Sequence, residues 1–253
     1  MVYFFNIIEP MKDIIGFWGY PHPDLIKQYK TKYPNANWVD LDIDFNYSKT
    51  NILPEAYCSI IKNIFNNAFY LKEKLITILA PVGKDKCDSA FFAVQILKEA
   101  GFNVEISYFE EALPYDMLPN TPISKSNLPL REKIEKITAN IIEEKDYSLL
   151  PECKAEFGFW GVPPNDLSIL EIFPDNTHVF GWSRCVEAKN PANIELEMMV
   201  DENLPTVFFA QTFCAKNQLA KYLANKYQGL YIDIDGLPTN STKAKIEAFL
   251  RLR

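Results

Sequence analysis

The sequence predicts an α/β protein built from two lobes of like topology, each a parallel sheet covered by helices. Three observations carry that expectation. GFWGYPHPDL at 16–25 returns as GFWGVPPNDL at 158–167. After each copy, short apolar segments alternate with amphipathic ones in the same order, the pattern of repeated βαβ units. Some apolar segments are apolar throughout and others alternate with charged residues, which separates central strands from edge strands.

The elements can be justified in order, two at a time. DIIGFW (13–18) and EFGFW (156–160) read as buried strands, short apolar runs that reach a glycine turn. Pro21 to Asp24, and Pro163 to Asp166, then open short helices, because Pro suits a first turn and Asp complements the helix dipole there. NWVDLDI (37–43) and THVFGW (177–182) are the second strands, each shortly after a Pro-Asn or Pro-Asp turn. LITILAP (75–81) and PTVFFAQ (205–211) are near-continuous apolar third strands. Each leads into a helix with a C-terminal Gly, CDSAFFAVQILKEAG (87–101) and CAKNQLAKYLANKYQG (214–229). FNVEISYF (102–109) and LYIDID (230–235) are the fourth strands, and REKIEKI (131–137) and KAKIEAF (243–249) lie on closing amphipathic helices.

This parallel sets the lobes at 1–149 and 150–253, with EKDYSLLPEC (144–153) as the connection. The first lobe carries two insertions. Residues 45–74 hold an extra helix, and 110–130 form a loop with Pro114, Pro119, Pro122 and Pro129, long enough to suggest a lid or an oligomer contact.

Strand order follows from the alternation. The first and third strands are apolar throughout, whereas Asp40-Leu41-Asp42-Ile43-Asp44, Val104-Glu105-Ile106-Ser107 and Ile232-Asp233-Ile234-Asp235 alternate and belong at edges. The order is therefore 2-1-3-4 in each lobe, a Rossmann- or flavodoxin-like arrangement; THVFGW fits its edge position least well. In such a sheet the topological switch point lies between strands 1 and 3, and ligands bind beyond the strand C-termini there. GFWG and the loop after strand 3 meet at that point, and two such mouths would face each other across an inter-domain cleft.

Composition narrows the function. Hydrophobic residues at 48% and aromatics at 14% supply ample core. A net charge of −7 without a basic stripe argues against nucleic acid as a partner. MVYFFNIIEPMKD is a poor signal peptide, and no apolar run reaches the roughly 18 residues of a membrane span. The five cysteines show no C-x-x-C and suit free thiols in a reducing cytoplasm better than a disulfide framework or a zinc site.

The candidate chemistry lies in the turns. Trp18 with Gly19 and Tyr20, and Trp160 with Gly161, would stand at the two mouths, with Asp24 opening the first helix. Gly83, Lys84 and Lys86 precede one helix N-terminus, and Thr212 and Lys216 flank the other; both could hold an anion, although no P-loop pattern is present. Cys87 and Cys214 start the helices after strand 3, where the helix dipole lowers a thiol's pKa. Facing each other, they would suit a cofactor-free racemase or epimerase, with one thiol removing a proton and the other returning it. That layout is similar to the aspartate/glutamate racemases, but their Cys-Asn-Thr and Cys-Thr-His motifs are missing, so no residue carries over. His22 lies in the first turn and is a candidate acid or base, whereas His178 reads as structural. IDIDG (232–236) resembles the Asp-x-Asp-Gly nucleophile motif of haloacid-dehalogenase-like phosphatases over five residues. That fold needs this strand first, so the Asp-x-Asp pairs are read as edge-strand alternation and no metal site is assigned.

The expectation is an enzyme of transferase, isomerase or lyase type that closes on a small, anionic metabolite in the cleft. Its cofactor and oligomeric state are left open. The alternative is a non-catalytic ligand-binding or assembly protein that uses the same cleft or its Trp-rich mouth.

Overall fold

The computed structural model describes residues 13–47, 49–84, 86–109, 113–114, 117, 119–234 and 236–253. The first sheet is formed by β1 (Ile14–Phe17), β2 (Asn37–Asp40), β3 (Leu75–Gly83) and β4 (Val104–Phe109). The second is formed by β5 (Phe157–Trp160), β6 (Thr177–Phe180), β7 (Thr206–Gln211) and β8 (Leu230–Ile234). Both are wholly parallel, in the orders β2-β1-β3-β4 and β6-β5-β7-β8. The two-lobed α/β arrangement and its 2-1-3-4 order are those the alternation predicted. The wholly buried strands β1 and β7 are central, and β4 and β8, whose outward residues are exposed, are edges.

The glycines of the repeated turn explain why the motif is written twice. A Cβ on Gly16 would sit 2.9 Å from Leu41 Cδ1, and one on Gly158 would sit 2.7 Å from Phe180 Cε2. Both first glycines therefore leave room for a neighbouring side chain, Leu41 just past β2 and Phe180 of β6, against the central strand. The aromatic after them is core in both halves: Trp18 and Trp160 are 2% and 1% exposed. Their indole N–H groups donate to Pro81 O at 3.3 Å and Glu197 O at 2.6 Å. Trp160 thus lies under the cavity wall and not at its mouth, because burying an indole is favourable once its N–H finds a carbonyl.

The helices are α1 (Pro23–Lys32), α2 (Ser59–Leu71), α3 (Asp88–Glu99), α4 (Pro122–Lys125), α5 (Leu130–Glu143), α6 (Trp182–Glu187), α7 (Ile194–Met198), α8 (Lys216–Lys226) and α9 (Asn240–Leu252). α2 and α3 cover one face of the first sheet, and α8 covers one face of the second. In the second half the turn after β5 gives a 3-10 segment, Leu167–Ile172, in place of the helix expected from Pro163. Asp166 starts it by accepting the Ser168 N–H at 2.9 Å. β6 also stops two residues short of Trp182, since Gly181 turns at φ +71 and Trp182 opens α6.

The remaining faces of the two sheets share one continuous core. Ile15, Phe17 and Leu79 of the first sheet join Phe159, Val207 and Phe209 of the second through Ile134, Ile137 and Ile141 of α5. α5 packs against α6, β6 and the 3-10 segment, so a helix that follows the first sheet in sequence lies on the second. Its Lys133 is fully buried and donates to Asp175 O at 2.8 Å and Thr177 O at 2.6 Å. The end of the proline-bearing insertion is buried there too. Glu187 of α6 accepts the Ile123 N–H at 2.6 Å and the Ser124 N–H at 2.9 Å, which seats α4 against the second lobe. No helix among the described residues is long and apolar enough to cross a membrane.

Candidate functional site

The loops beyond the strand C-termini of both sheets enclose a cavity of about 780 Å³. Its first wall is built at the β1 turn. Gly19 adopts φ +54, and its N–H donates to Asp42 Oδ2 at 2.9 Å. β2 ends at Asp40, whose Oδ1 accepts the Asp42 N–H at 3.2 Å. Leu41 between them is fully buried, so both aspartates flank it and line the cavity. This corrects the edge-strand reading of Asp42, which lies past the strand in a turn.

Helix α2, inside the first insertion, holds that turn through residues spaced one helical turn apart. Asn67 Nδ2 donates to Leu41 O at 2.8 Å and Ile43 O at 2.7 Å, and Asn63 Nδ2 to Asp42 O at 3.0 Å. The same face reaches the second lobe. Asn63 Nδ2 donates to Asn165 Oδ1 at 3.1 Å, Ser59 Oγ donates to Gln211 Oε1, and Gln211 Nε2 donates to Asn165 Oδ1 at 3.2 Å. Four neutral polar side chains thus join the lobes beside the cavity.

Lys86 comes from the loop after β3. A Cβ on Gly19 would lie 2.8 Å from Lys86 Nζ, so the ammonium lies directly over the glycine. It also stands 5.2 Å from the ring centroid of Trp182, on the other lobe. Burial, and then the charge of Asp42, push the Asp40 carboxyl well above the usual carboxylate range. Burial also raises Asp42, against the opposing pull of the Gly19 N–H, Asp40 and Lys86. Two adjacent carboxyls in a low-dielectric wall cannot both ionise cheaply, so the pair retains a proton into a higher pH range than a free aspartate.

The second wall has Lys216, paired with the Glu197 carboxylate, along with Asn165 and Gln211. Much of the remaining lining is apolar, including Ile60, Ile61, Ile64, Val162 and Leu167. Cys58, the N-cap of α2, and Cys214 also line the cavity. The hydrogen bond with Cys214 lowers the Cys58 thiol to about 6 against the opposing effect of burial, with help from the Ile61 and Ile60 N–H groups. The same contact, followed by burial, pushes Cys214 up.

Of the residues singled out from sequence, Trp18, Gly19, Lys84, Lys86, Cys87, Cys214 and Lys216 line this cavity. Others lie off it. His22 caps α1, accepting the Asp24 N–H at 3.3 Å, and its ring packs on Phe109 at 5.2 Å. Tyr20 is buried and stacked on the same Phe109. Asp24 is exposed in α1, Gly83 ends β3 at φ +113, and the Thr212 N–H donates to Ile234 O at 3.0 Å. A Cβ on Gly161 would lie 2.7 Å from Phe209 O, which makes that glycine a packing residue. The thiol facing Cys214 is Cys58 and not Cys87, which is the exposed N-cap of α3.

Several contributors had a signal in the sequence that pointed elsewhere. Asp40-Leu41-Asp42 shows as an alternation, and the THVFGW run places Trp182 at the end of a strand. Cys58, Ser59 and Asn63 lie in an insertion that has no counterpart in the second half. Among the described residues no group of three or more His, Cys, Asp or Glu gathers that could hold a metal ion. No protein-family model matches the chain, and a search of the curated proteins finds no match.

Proposed function

We propose that the interlobe cavity is the active site of an enzyme that moves a proton on a small anionic metabolite. The observation that carries this reading is the carboxyl pair Asp40–Asp42 opening onto the same cavity as Lys84 and Lys86. A pair that shares one proton can donate it or, once ionised, accept one, which is general acid–base chemistry. With one proton held, the pair carries a single negative charge. Lys84 and Lys86 line the same wall, and an ammonium group there suits a carboxylate or phosphate of the ligand. The volume lies within the range of about 300–1,000 Å³ that small-molecule sites occupy, and the apolar walls would keep water from the reacting atoms. Isomerase and lyase reactions both turn on such a transfer. The five free cysteines suit a reducing, cytoplasmic setting.

The test begins with a thermal-shift screen of carboxylated and phosphorylated metabolites, since a ligand of the folded state raises its apparent stability. A hit should bind Lys86→Met with a loss of about 1–3 kcal/mol, roughly 5- to 150-fold. It should bind Asp40→Asn but not be turned over. A ligand that binds Lys86→Met as tightly as the wild type, or that Asp40→Asn still converts at the full rate, overturns the assignment.

A further inference from the structure

Cys58 and Cys214 belong to different lobes, yet both line the large cavity and a second one of about 540 Å³. The Ser59 Oγ to Gln211 Oε1 hydrogen bond, one residue from Cys58 and three from Cys214, holds the two chain segments together. The Cys214 N–H donates to Gln211 O at 3.0 Å, which fixes the turn that presents its thiol. The second cavity is rimmed by Ser89, Asn217, Gln218 and the exposed Cys87, giving a reagent a route to the half-buried Cys214 and the buried Cys58. Cys87 does not complete a three-donor set with them, so the chemistry left to the cluster is that of a dithiol.

We propose that Cys58 and Cys214 form a redox-active dithiol that a low-molecular-weight disulfide such as glutathione disulfide oxidises to a bond between the lobes. Cys58 sulfur, at the N-cap of α2 and lining both cavities, is the attacking thiolate. It bonds to one sulfur of the small disulfide, whose S–S bond breaks and releases one thiolate. Cys214 then gives up its proton, and its sulfur attacks Cys58 sulfur in the mixed disulfide, expelling the second thiolate. The protein loses two protons and two electrons, and the small disulfide gains both as two thiols. Lys62, near Cys58, and Lys216, near Cys214, are the cations that favour the ionised forms. The product ties the two walls of the cavity covalently.

The test uses the whole reduced chain, incubated under nitrogen with glutathione buffers of increasing oxidised fraction, then alkylated and mapped by mass spectrometry. A peptide crosslinked between Cys58 and Cys214 should form in the wild type, and equally in Cys87→Ser. Cys214→Ser should stop at glutathione on Cys58. If the native wild type accumulates glutathione on Cys87 alone, or leaves Cys58 and Cys214 alkylated at every ratio, the proposal falls. The wild-type mapping decides this even if a variant fails to fold, and it is independent of any reaction in the cavity.

Discussion

The ammonium of Lys86 stands 5.2 Å from the ring centroid of Trp182, although the lysine belongs to the first lobe and the tryptophan to the second. Lys86 also acts electrostatically on Asp40 and Asp42. One cation therefore links the carboxyl pair of one lobe to the aromatic wall of the other, and what disturbs it should be felt on both sides.

Gly19→Ala is the least invasive way to disturb it. The new methyl would lie 2.7 Å from Lys86 Cε, so the lysine must swing away, and a φ of +54 disfavours any side chain. The expected cost is about 1 kcal/mol of stability. Ligand affinity should fall by as much as in Lys86→Met. Unfolding in urea and calorimetric binding check the two effects; a variant that keeps full affinity would show that the ammonium does not need its seat over Gly19.

Asp40→Asn should stabilise the protein at neutral pH. A carboxyl whose folded pKa is raised gives stability that is complete below its unfolded pKa of about 3.9 and is lost as pH rises through the folded value. Between the unfolded value and pH 7 the wild type loses stability, because the unfolded aspartate is ionised there while the folded one resists ionisation, and the amide removes that deficit. The variant's thermal midpoint should rise by about 2–4 °C per kcal/mol recovered, with the advantage gone near pH 4. A midpoint that drops at neutral pH would mean that the pair is fully ionised and held by Lys86.

Lys133 gives the opposite pH window. Burial lowers its pKa to about 8, against about 10.4 in the unfolded chain. Between those values the unfolded state holds a proton that the folded state lacks, so stability rises with pH there. Comparing the wild type with Lys133→Met in urea melts at several pH values from 7 to 10 isolates the residue. The difference should shift in favour of the wild type across the window, and a constant difference would contradict the burial argument.

Asn67→Ala removes the two hydrogen bonds that hold the carbonyls of Leu41 and Ile43. Leaving the buried Leu41 carbonyl and the part-buried Ile43 carbonyl unpaired should cost about 1–3 kcal/mol. The Asp42 turn should also exchange its amide hydrogens faster than the rest of the first sheet. Uniform exchange across the sheet would place the anchoring in Leu41 packing alone.

The central strands were legible because burial on both faces leaves one signature, the unbroken apolar runs of LITILAP and PTVFFAQ. Asp40-Leu41-Asp42 was not, because period-two alternation looks the same in an edge strand and in a turn whose middle side chain is core. His22 stood close to the repeated turn in sequence. After the positive-φ turn at Gly19 the His22 ring packs on Phe109, and neither His22 nor Phe109 lines the cavity. Equivalence between the halves pointed to Cys87 and Cys214, but the thiol that meets Cys214 comes from the unmatched insertion. The stripe Ile134, Ile137, Ile141 announced that α5 is buried; no local pattern says against which sheet.

That placement of α5 sets an order of events at the ribosome. The helix emerges with the first sheet, but the Thr177–Phe180 strand and the Trp182–Glu187 helix it packs against are about 40 residues further along the chain. At about 5–20 residues per second the part of its apolar stripe that meets the second lobe waits some 2–8 s for that partner. During that interval the nascent chain shows a greasy helix beside a nearly finished sheet, a form suited to capture by a trigger-type chaperone or to mispairing with a neighbouring nascent chain. Slow codons placed after residue 143 would lengthen that exposure, and a faster stretch there would raise the yield of native protein.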